Sequence, residues 1–273
     1  MLQYLSMGFS LDTIFTTRTA LPENVGIVEI EPNALLRPYI RCFWKYGDNT
    51  DVREFRIIPD CCADIIIPLD GSPSVFVGAS DKSFVTPDIG DVFGLRFYAW
   101  AVAPFLHIGL KETFNGAVPI DCISNNFGRV QNAILEADTT ARQVELAEKY
   151  LLELFDGKLC FDIMNGLYRA IKDNCRVTVK DLSDYCAVSK RTLERKFIDN
   201  IGVSPKTMIG LLRYQTLWQD CINDGFSAAD SAYKLGYYDE AHMYNDFKRF
   251  HGIAMSEARK EYAWLSRFYN TSK

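Results

Sequence analysis

Long apolar runs are missing from this 273-residue chain: no stretch of 18 or more apolar residues occurs, so no transmembrane helix is expected. The segment Met1 to Thr19 has no basic leader ahead of an apolar run, and Asp12 interrupts its hydrophobic stretch, so a signal peptide is not expected. Segments poor enough in apolar residues to stay disordered are absent as well. Histidine is scarce, and His107 is the one histidine of the first half, inside the apolar stretch Phe105–Leu110, where a satisfied core residue is the better reading than a catalytic base. The eight cysteines (42, 61, 62, 122, 160, 175, 186 and 221) contain no Cys-x-x-Cys pair. A cytoplasmic chain keeps them reduced, and most read as small buried hydrophobes. These shortages lead to the expectation of a cytoplasmic protein that is not an enzyme, carries no metal or cofactor and has no membrane partner.

Apolar residues, by contrast, make up 48% of the chain, with 18 Phe, 14 Tyr and 4 Trp, enough for two packed cores. Net charge is −5, which by itself argues against a nucleic-acid partner. The sum conceals an asymmetry: residues 1–157 hold 12 Lys/Arg against 21 Asp/Glu, whereas residues 158–273 hold 18 against 14. A phosphate-binding face is therefore expected only in the second part.

Short strands punctuated by Pro, Gly and Asp are expected at Val25–Glu31, Tyr39–Tyr46, Phe55–Ile58, Ala63–Leu69, Ser74–Val77 and Val92–Tyr98. No helical segment of 10–15 residues separates them, so an antiparallel barrel or sandwich is expected rather than a parallel α/β sheet. From Thr139 to Phe155 there is no Gly or Pro, and Val144, Leu151 and Phe155 fall on or near one stripe, giving a helix that packs on the β-rich part or pairs with a second subunit. Everything past Leu159 reads as helix. The domains are accordingly placed at 1–157 and 158–273.

Compared with itself at an offset of 50 residues, the C-terminal part is a repeat. Leu193 and Phe197 correspond to Met243 and Phe247, Gly202-Val203 to Gly252-Ile253, and the helix cap Ser189 to Asp239. Each copy reads as helix, short turn, capped helix: Val179–Tyr185 then Lys190–Asn200, and Ala228–Leu235 then Glu240–Phe250. This is the layout of a helix-turn-helix, although an ordinary helical hairpin shares it. The outward faces decide. Opposite Leu193 and Phe197 stand Arg191 and Arg195, flanked by Thr192 and Ile198, with Lys190 and Lys196 at the rim. Arginines one turn apart near a helix N-terminus suit guanine O6 and N7, or phosphate. The second copy turns Ala241, His242, Asn245 and Lys248 outward, a smaller and less charged face. Asn245 suits adenine and Lys248 phosphate; His242 suits either, or packing. Between the copies, Ser204-Pro205 starts a helix carrying Met208, Leu211, Leu212, Trp218 and Ile222. At ~18 residues it spans roughly 27 Å, near the ~34 Å that separates successive major grooves on one face of DNA.

With these features assembled, residues 160–262 resemble the DNA-binding domain of the AraC/XylS family of bacterial transcription regulators. The carrying segments are VSKRTLERKFIDNIGVSP (188–205), a long helix including Arg213, and KLGYYDEAHMYNDFKRFHGI (234–253). The departures are Ala254-Met255 and Ala258-Arg259 in place of Thr-Pro and a final aromatic-Arg, and Asn245 and Asp246 where basic and apolar residues are common. The resemblance implies double-stranded DNA as partner, with Arg191, Thr192 and Arg195 on bases and Lys190 and Lys206 on the backbone. Asn245 and Lys248 make a weaker second contact; Ser189 and His242 complete the DNA-facing set.

The N-terminal part also looks like the sensor half of one subgroup of that family, through RPYIRCFW (37–44), IPDCCADIII (58–67) and GLRFYAWAVAPFLHIGLKE (94–112). That implies a small β-rich effector or dimerisation domain of cupin-like form and names no ligand. The whole is then an α+β two-domain protein, an antiparallel β barrel or sandwich with helices followed by an all-α double helix-turn-helix. Trp44, Arg96, Phe97 and Trp100 offer aromatic walls and one fixed charge for an effector. Asp64 is a candidate partner for Arg96, and if the two meet, a structural ion pair competes with a ligand anchor. The alternatives are a domain used only for homodimer or RNA polymerase contacts, or an alkyl-transfer or redox role for Cys61-Cys62, for which no four-cysteine zinc framework is evident.

Overall fold

The computed structural model describes residues 27–47, 54–87, 90–106, 110–124, 127–155, 160–222 and 225–270. His107 and the expected domain boundary at 157/158 lie outside the described residues.

The N-terminal part is built from β1 (Ile27–Ile30), β2 (Ile40–Tyr46), β3 (Glu54–Ile57), β4 (Cys62–Pro68), β5 (Val75–Val77), β6 (Phe84–Pro87), β7 (Val92–Tyr98) and β8 (Ala117–Pro119). Six of them form one sheet in the order β1-β2-β7-β4-β5-β8, all neighbours antiparallel, and β3 and β6 form a separate two-stranded sheet. Five of the six expected strands start within two residues of where the pattern placed them, and the sixth, β7, matches at both ends. The short β6 and β8, each ending in Pro, were not anticipated. β1 and β8 end the sheet without pairing to each other, so among the described residues it is an open antiparallel sheet and not a closed barrel.

Strand alternation sorts β7 into two faces. Phe93, Leu95 and Phe97 join Phe43, Ile65, Ile67 and Phe76 in the main core. Val92 lies on the other face in a smaller cluster with Cys42, Trp44 and Tyr46. Gly94 shares this face because the Trp44 indole lies across it, where a β-carbon would collide with the ring.

The main-core face is covered by helices. A short turn at Ala99–Ala101 leads to α1 (Ala103–Leu106), and a second turn at Leu110–Thr113 leads to β8; α2 (Phe127–Leu135) and α3 (Thr140–Leu154) follow. The expected helix is α3, and it packs on the β-rich part: Phe155 just past its end meets Tyr39 and Phe105, with ring centroids 4.7 and 5.3 Å away. Its buried stripe is Gln143, Ala147 and Leu151, while Val144 and Phe155 are half-buried. Gln143 is tolerated there because its amide donates to the Ile134 carbonyl at 3.2 Å.

The C-terminal part is all helix: α4 (Phe161–Lys172), α5 (Val179–Tyr185), α6 (Lys190–Ile201), α7 (Pro205–Ile222), α8 (Ala228–Leu235), α9 (Glu240–His251) and α10 (Met255–Asn270). Among the described residues no helix is long and apolar enough to cross a membrane. The repeat is borne out down to its caps. Ser189 and Asp239 accept from the third residue of α6 and α9 (Thr192 N–H and His242 N–H), and Gly202 and Gly252 close both helices in the left-handed region at φ 88° and 85°. α7 is buried on several sides, with Met208, Leu211, Leu212, Leu217 and Trp218 among its core residues, because it lies between the two units.

The two parts share one continuous core. Gly202 sits directly against the backbone of Leu110, and Gly252 against Ser83. Gln215 on α7 donates to the Pro59 carbonyl, and Arg56 pairs with Glu261 at 3.5 Å.

Candidate DNA interface and β-domain polar cluster

In the first unit, Thr178 and Asp181 form a reciprocal capping box that starts α5, and Ala187 makes the turn to α6 in the left-handed region at φ 54°. Leu193, Phe197 and Ile201 anchor α6 in the core. That burial leaves Arg191 and Arg195 on the exposed side, one turn apart and without a hydrogen bond or ion pair among the described residues. The cations around them differ. Lys190 lies 4.0 Å from Glu194, and Lys196, expected as free rim charge, is instead tied to Asp162 on α4, which holds its ammonium above the ordinary lysine range. Ser189 is committed to the cap: it accepts the Thr192 N–H at 3.1 Å and shares a hydroxyl contact of 2.8 Å with Thr192 Oγ1. Lys206 is exposed at the first turn of α7.

In the second unit, Met243, Phe247 and Phe250 are buried, and Ala241, Asn245 and Lys248 are exposed on the far side. The His242 ring stands edge-on to Tyr237 with centroids 5.4 Å apart, and its Nδ1 accepts the Tyr238 N–H at 3.5 Å. The residue itself is exposed. Asp246 holds Arg249 at 2.8 Å and accepts from the Tyr237 hydroxyl at 3.4 Å, which explains a carboxylate where the resemblance leads one to expect an apolar residue. Arg213 on α7 joins the two units: its guanidinium donates to the Cys175 carbonyl, between α4 and α5, at 2.7 Å and lies over the Tyr237 ring of the second unit at 5.1 Å. Two exposed aromatics, Tyr238 and Tyr244, were not singled out from sequence. Tyr244 lies only 100° round the helix from Met243, and a projection centred on the core pair hides it.

The five residues expected to hold an effector do not form one wall. Asp64 and Arg96 are directly opposed on β4 and β7. Arg96 Nε donates to Asp64 at 2.9 Å, its Nη1 lies 3.4 Å from Asp60, and the Trp44 indole N–H donates to Asp64 at 2.9 Å. Asp60 was missed; it sits in the turn before β4, where it also accepts the Cys62 N–H at 3.1 Å. With Arg96 and Asp64 side chains 11% and 13% exposed, this is a nearly dry ion pair. Burial pushes the Asp64 carboxyl above its ordinary value, with Arg96 opposing. Phe97, the next residue along β7, points to the other face and packs on Phe105 at 5.4 Å. Trp100 is buried against Tyr98, stacked at 5.0 Å. Cys61 and Cys62 are buried, and burial raises both thiols well above the ordinary range, the reverse of what a nucleophilic acceptor needs. Among the described residues no group of three or more His, Cys, Asp or Glu is placed to hold a metal.

Comparison with known families and structures gives two separate matches. Residues 182–261 match a family described as a helix-turn-helix domain, and residues 28–119 match a domain of unknown function, DUF6597. No curated protein is matched. Among solved structures, a transcriptional regulator of Chromobacterium violaceum described as an AraC-type DNA-binding domain-containing protein is similar at 20% identity, over 37% of this chain and 92% of that one, with a TM-score of 0.35. A DNA-binding transcriptional dual regulator of Escherichia coli K-12 is similar at 17% identity over 38% and 93%, with a TM-score of 0.35. ToxT of Vibrio cholerae is similar at 12% identity over 81% and 92%, with a TM-score of 0.42.

Proposed function

We propose that this chain is an AraC-type DNA-binding regulator that reads its operator mainly through α6 and answers to a small molecule taken up by the β-rich part. The carrying observation is the pair Arg191 and Arg195, exposed and unpaired opposite a buried helix face, while neighbouring Lys190 and Lys196 have carboxylate partners. A guanidinium fork free of other bonds keeps both donors for guanine O6 and N7. Thr192 joins them at the base edges. Lys190 and Lys206 lie at the rim for phosphates, and Ser189 brings its helix N-terminus to the backbone. Asn245 and Lys248 give α9 a weaker second contact, with His242 bracing that helix. The division at residues 157/158 is part of this reading, with the sensing part before it and the DNA-binding part after it.

Support for an effector comes from Arg41, at the irregularity in β2 between Ile40 and Cys42. Its side chain is 9% exposed; one nitrogen lies 3.8 Å from Glu29, and Nη1 is buried with no partner among the described residues. A buried unmet donor is costly, and a ligand acceptor would satisfy it. Trp44, Asp64 and Arg96 satisfy one another and shape the site beside it.

Selection of bound DNA from a random pool, run with and without metabolite mixtures, tests both halves. The expected result is an enriched motif with two half-sites about one helical turn apart, whose enrichment changes with the mixture. No enriched motif overturns the DNA reading. A motif indifferent to every mixture overturns the effector reading.

A further inference from the structure

Three residues at the start of the second reading helix are outside that assignment. Tyr238 is 91% exposed and Tyr244 41%, and Ala241 between them is exposed too. Two adjacent tyrosines part company here. Tyr237 is buried and spends its hydroxyl on Asp246, whereas Tyr238, one residue ahead of the Asp239 cap, lies in water with its backbone N–H held by His242 Nδ1. Ala241 and Tyr244 are three apart on α9, hence neighbours on its surface, and Lys248 follows Tyr244 one turn on.

A recognition helix presents its N-terminal residues to base edges. From Asp239 to Phe247 that stretch holds no Lys or Arg, so the guanine fork available to α6 has no counterpart in α9. Beside the polar Glu240, His242 and Asn245, what the surface offers is a methyl group and ring edges. In the major groove the apolar feature is the C5-methyl of thymine, which alanine and aromatic side chains contact. We propose that the second helix-turn-helix unit reads thymine methyl groups, with Tyr244 and Ala241 forming the contact surface and Tyr238 flanking it. The surface is continuous with Asn245 and Lys248, so it faces the same duplex. The two units then read by different chemistry, charged hydrogen bonding in α6 and apolar contact in α9.

This inference rests on the DNA reading above and adds the base identity. The test uses the full chain and the duplex enriched from the random pool. Each thymine in the half-site facing α9 is replaced in turn by deoxyuridine, which lacks only the methyl. One or two replacements are expected to weaken binding about fourfold each, the worth of one buried methyl-sized group. Tyr244→Ala is expected to abolish that uracil penalty and Tyr244→Phe to retain it, with the salt dependence unchanged because no charge is lost. Retained affinity for the isolated α6 half-site shows that the variants fold. Indifference of the wild type to every uracil overturns the inference, and so does a Tyr244→Ala loss that is equal on thymine and uracil duplexes; the DNA reading survives either result. If the wild type enriches no duplex, both fall together.

Discussion

Ser83 donates its hydroxyl to the backbone carbonyl of His251 at 2.6 Å, across 168 residues of chain, and its N–H donates to the Phe250 carbonyl at 3.1 Å. The last carbonyls of a helix have no partner within it. Those of α9 find theirs on the β-rich part. α6 also ends against this part, but by close packing, with Gly202 against the Leu110 carbonyl. The C-terminal ends of both α6 and α9 are therefore seated against the β-rich part.

The two cap glycines differ in what surrounds them, and this sets their tolerance to substitution. Both have φ near 85–88°, so either alanine variant carries left-handed strain of about 1–2 kcal/mol. At Gly252 the new methyl meets the Ser83 hydroxyl, which can rotate by giving up its bond to His251; at Gly202 it meets the Leu110 backbone, which cannot. Urea unfolding is expected to place Gly202→Ala well below Gly252→Ala in stability. Equal midpoints would show that the contact with Leu110 yields freely.

His251 gives the fold a pH dependence. Buried among Phe247, Trp218 and Tyr214, with its Nδ1 2.9 Å from the Tyr214 hydroxyl, its pKa is pushed down to about 4 by burial, with Arg56 adding. An unfolded histidine takes its proton near 6.5, so between these values the unfolded chain binds more protons. The stabilisation is full above pH 6.5 and is lost as pH falls toward 4, by at most roughly 3 kcal/mol. Urea titrations at pH 7.5 and 4.5 should show this loss in the wild type and a smaller one in His251→Gln. An identical pH dependence in the two proteins would remove His251 from the account.

Arg195→Ala is expected to weaken binding to the selected duplex by about 1–3 kcal/mol while leaving random DNA little affected. Lys248→Ala should lower affinity for all sequences alike and reduce the salt slope by about 1. Fluorescence anisotropy at several salt concentrations separates them. An equal loss on selected and random DNA for Arg195→Ala would move that residue from base to backbone.

Asp64→Ala leaves Arg96 nearly dry with Asp60 alone, at 3.4 Å. Removing one member of a buried pair costs about 3–5 kcal/mol, and the Trp44 indole loses its acceptor as well. A lowered unfolding midpoint together with a shift in tryptophan emission is the expected outcome. A stability loss below 1 kcal/mol would mean that water enters and solvates Arg96.

Legibility followed the range of the interactions. The helix-turn-helix units, from the Val179 start to the Gly252 stop, were readable to within a residue because caps and 3.6-residue periodicity act within a few neighbours. The polar cluster was half readable. Asp64 and Arg96 stood out as charges in apolar runs, and alternation along the strand already turns Phe97 away from Arg96, but Asp60 lay in a turn. β6 and β8 went unseen because strands of three or four residues carry too little alternation to stand above noise.

By itself the sequence determined that this protein has two capped helical units, each with a core stripe opposite an outward one and with arginines on the outward stripe of the first, since each helix specifies its own start, stop and buried side. Only the tertiary structure decided that the sheet stays open, that Arg96 is spent on Asp60 and Asp64, and that Ser83 and Leu110 seat the ends of α9 and α6. Those relationships join strands and helices far apart in the chain, beyond the few neighbours over which caps and periodicity act.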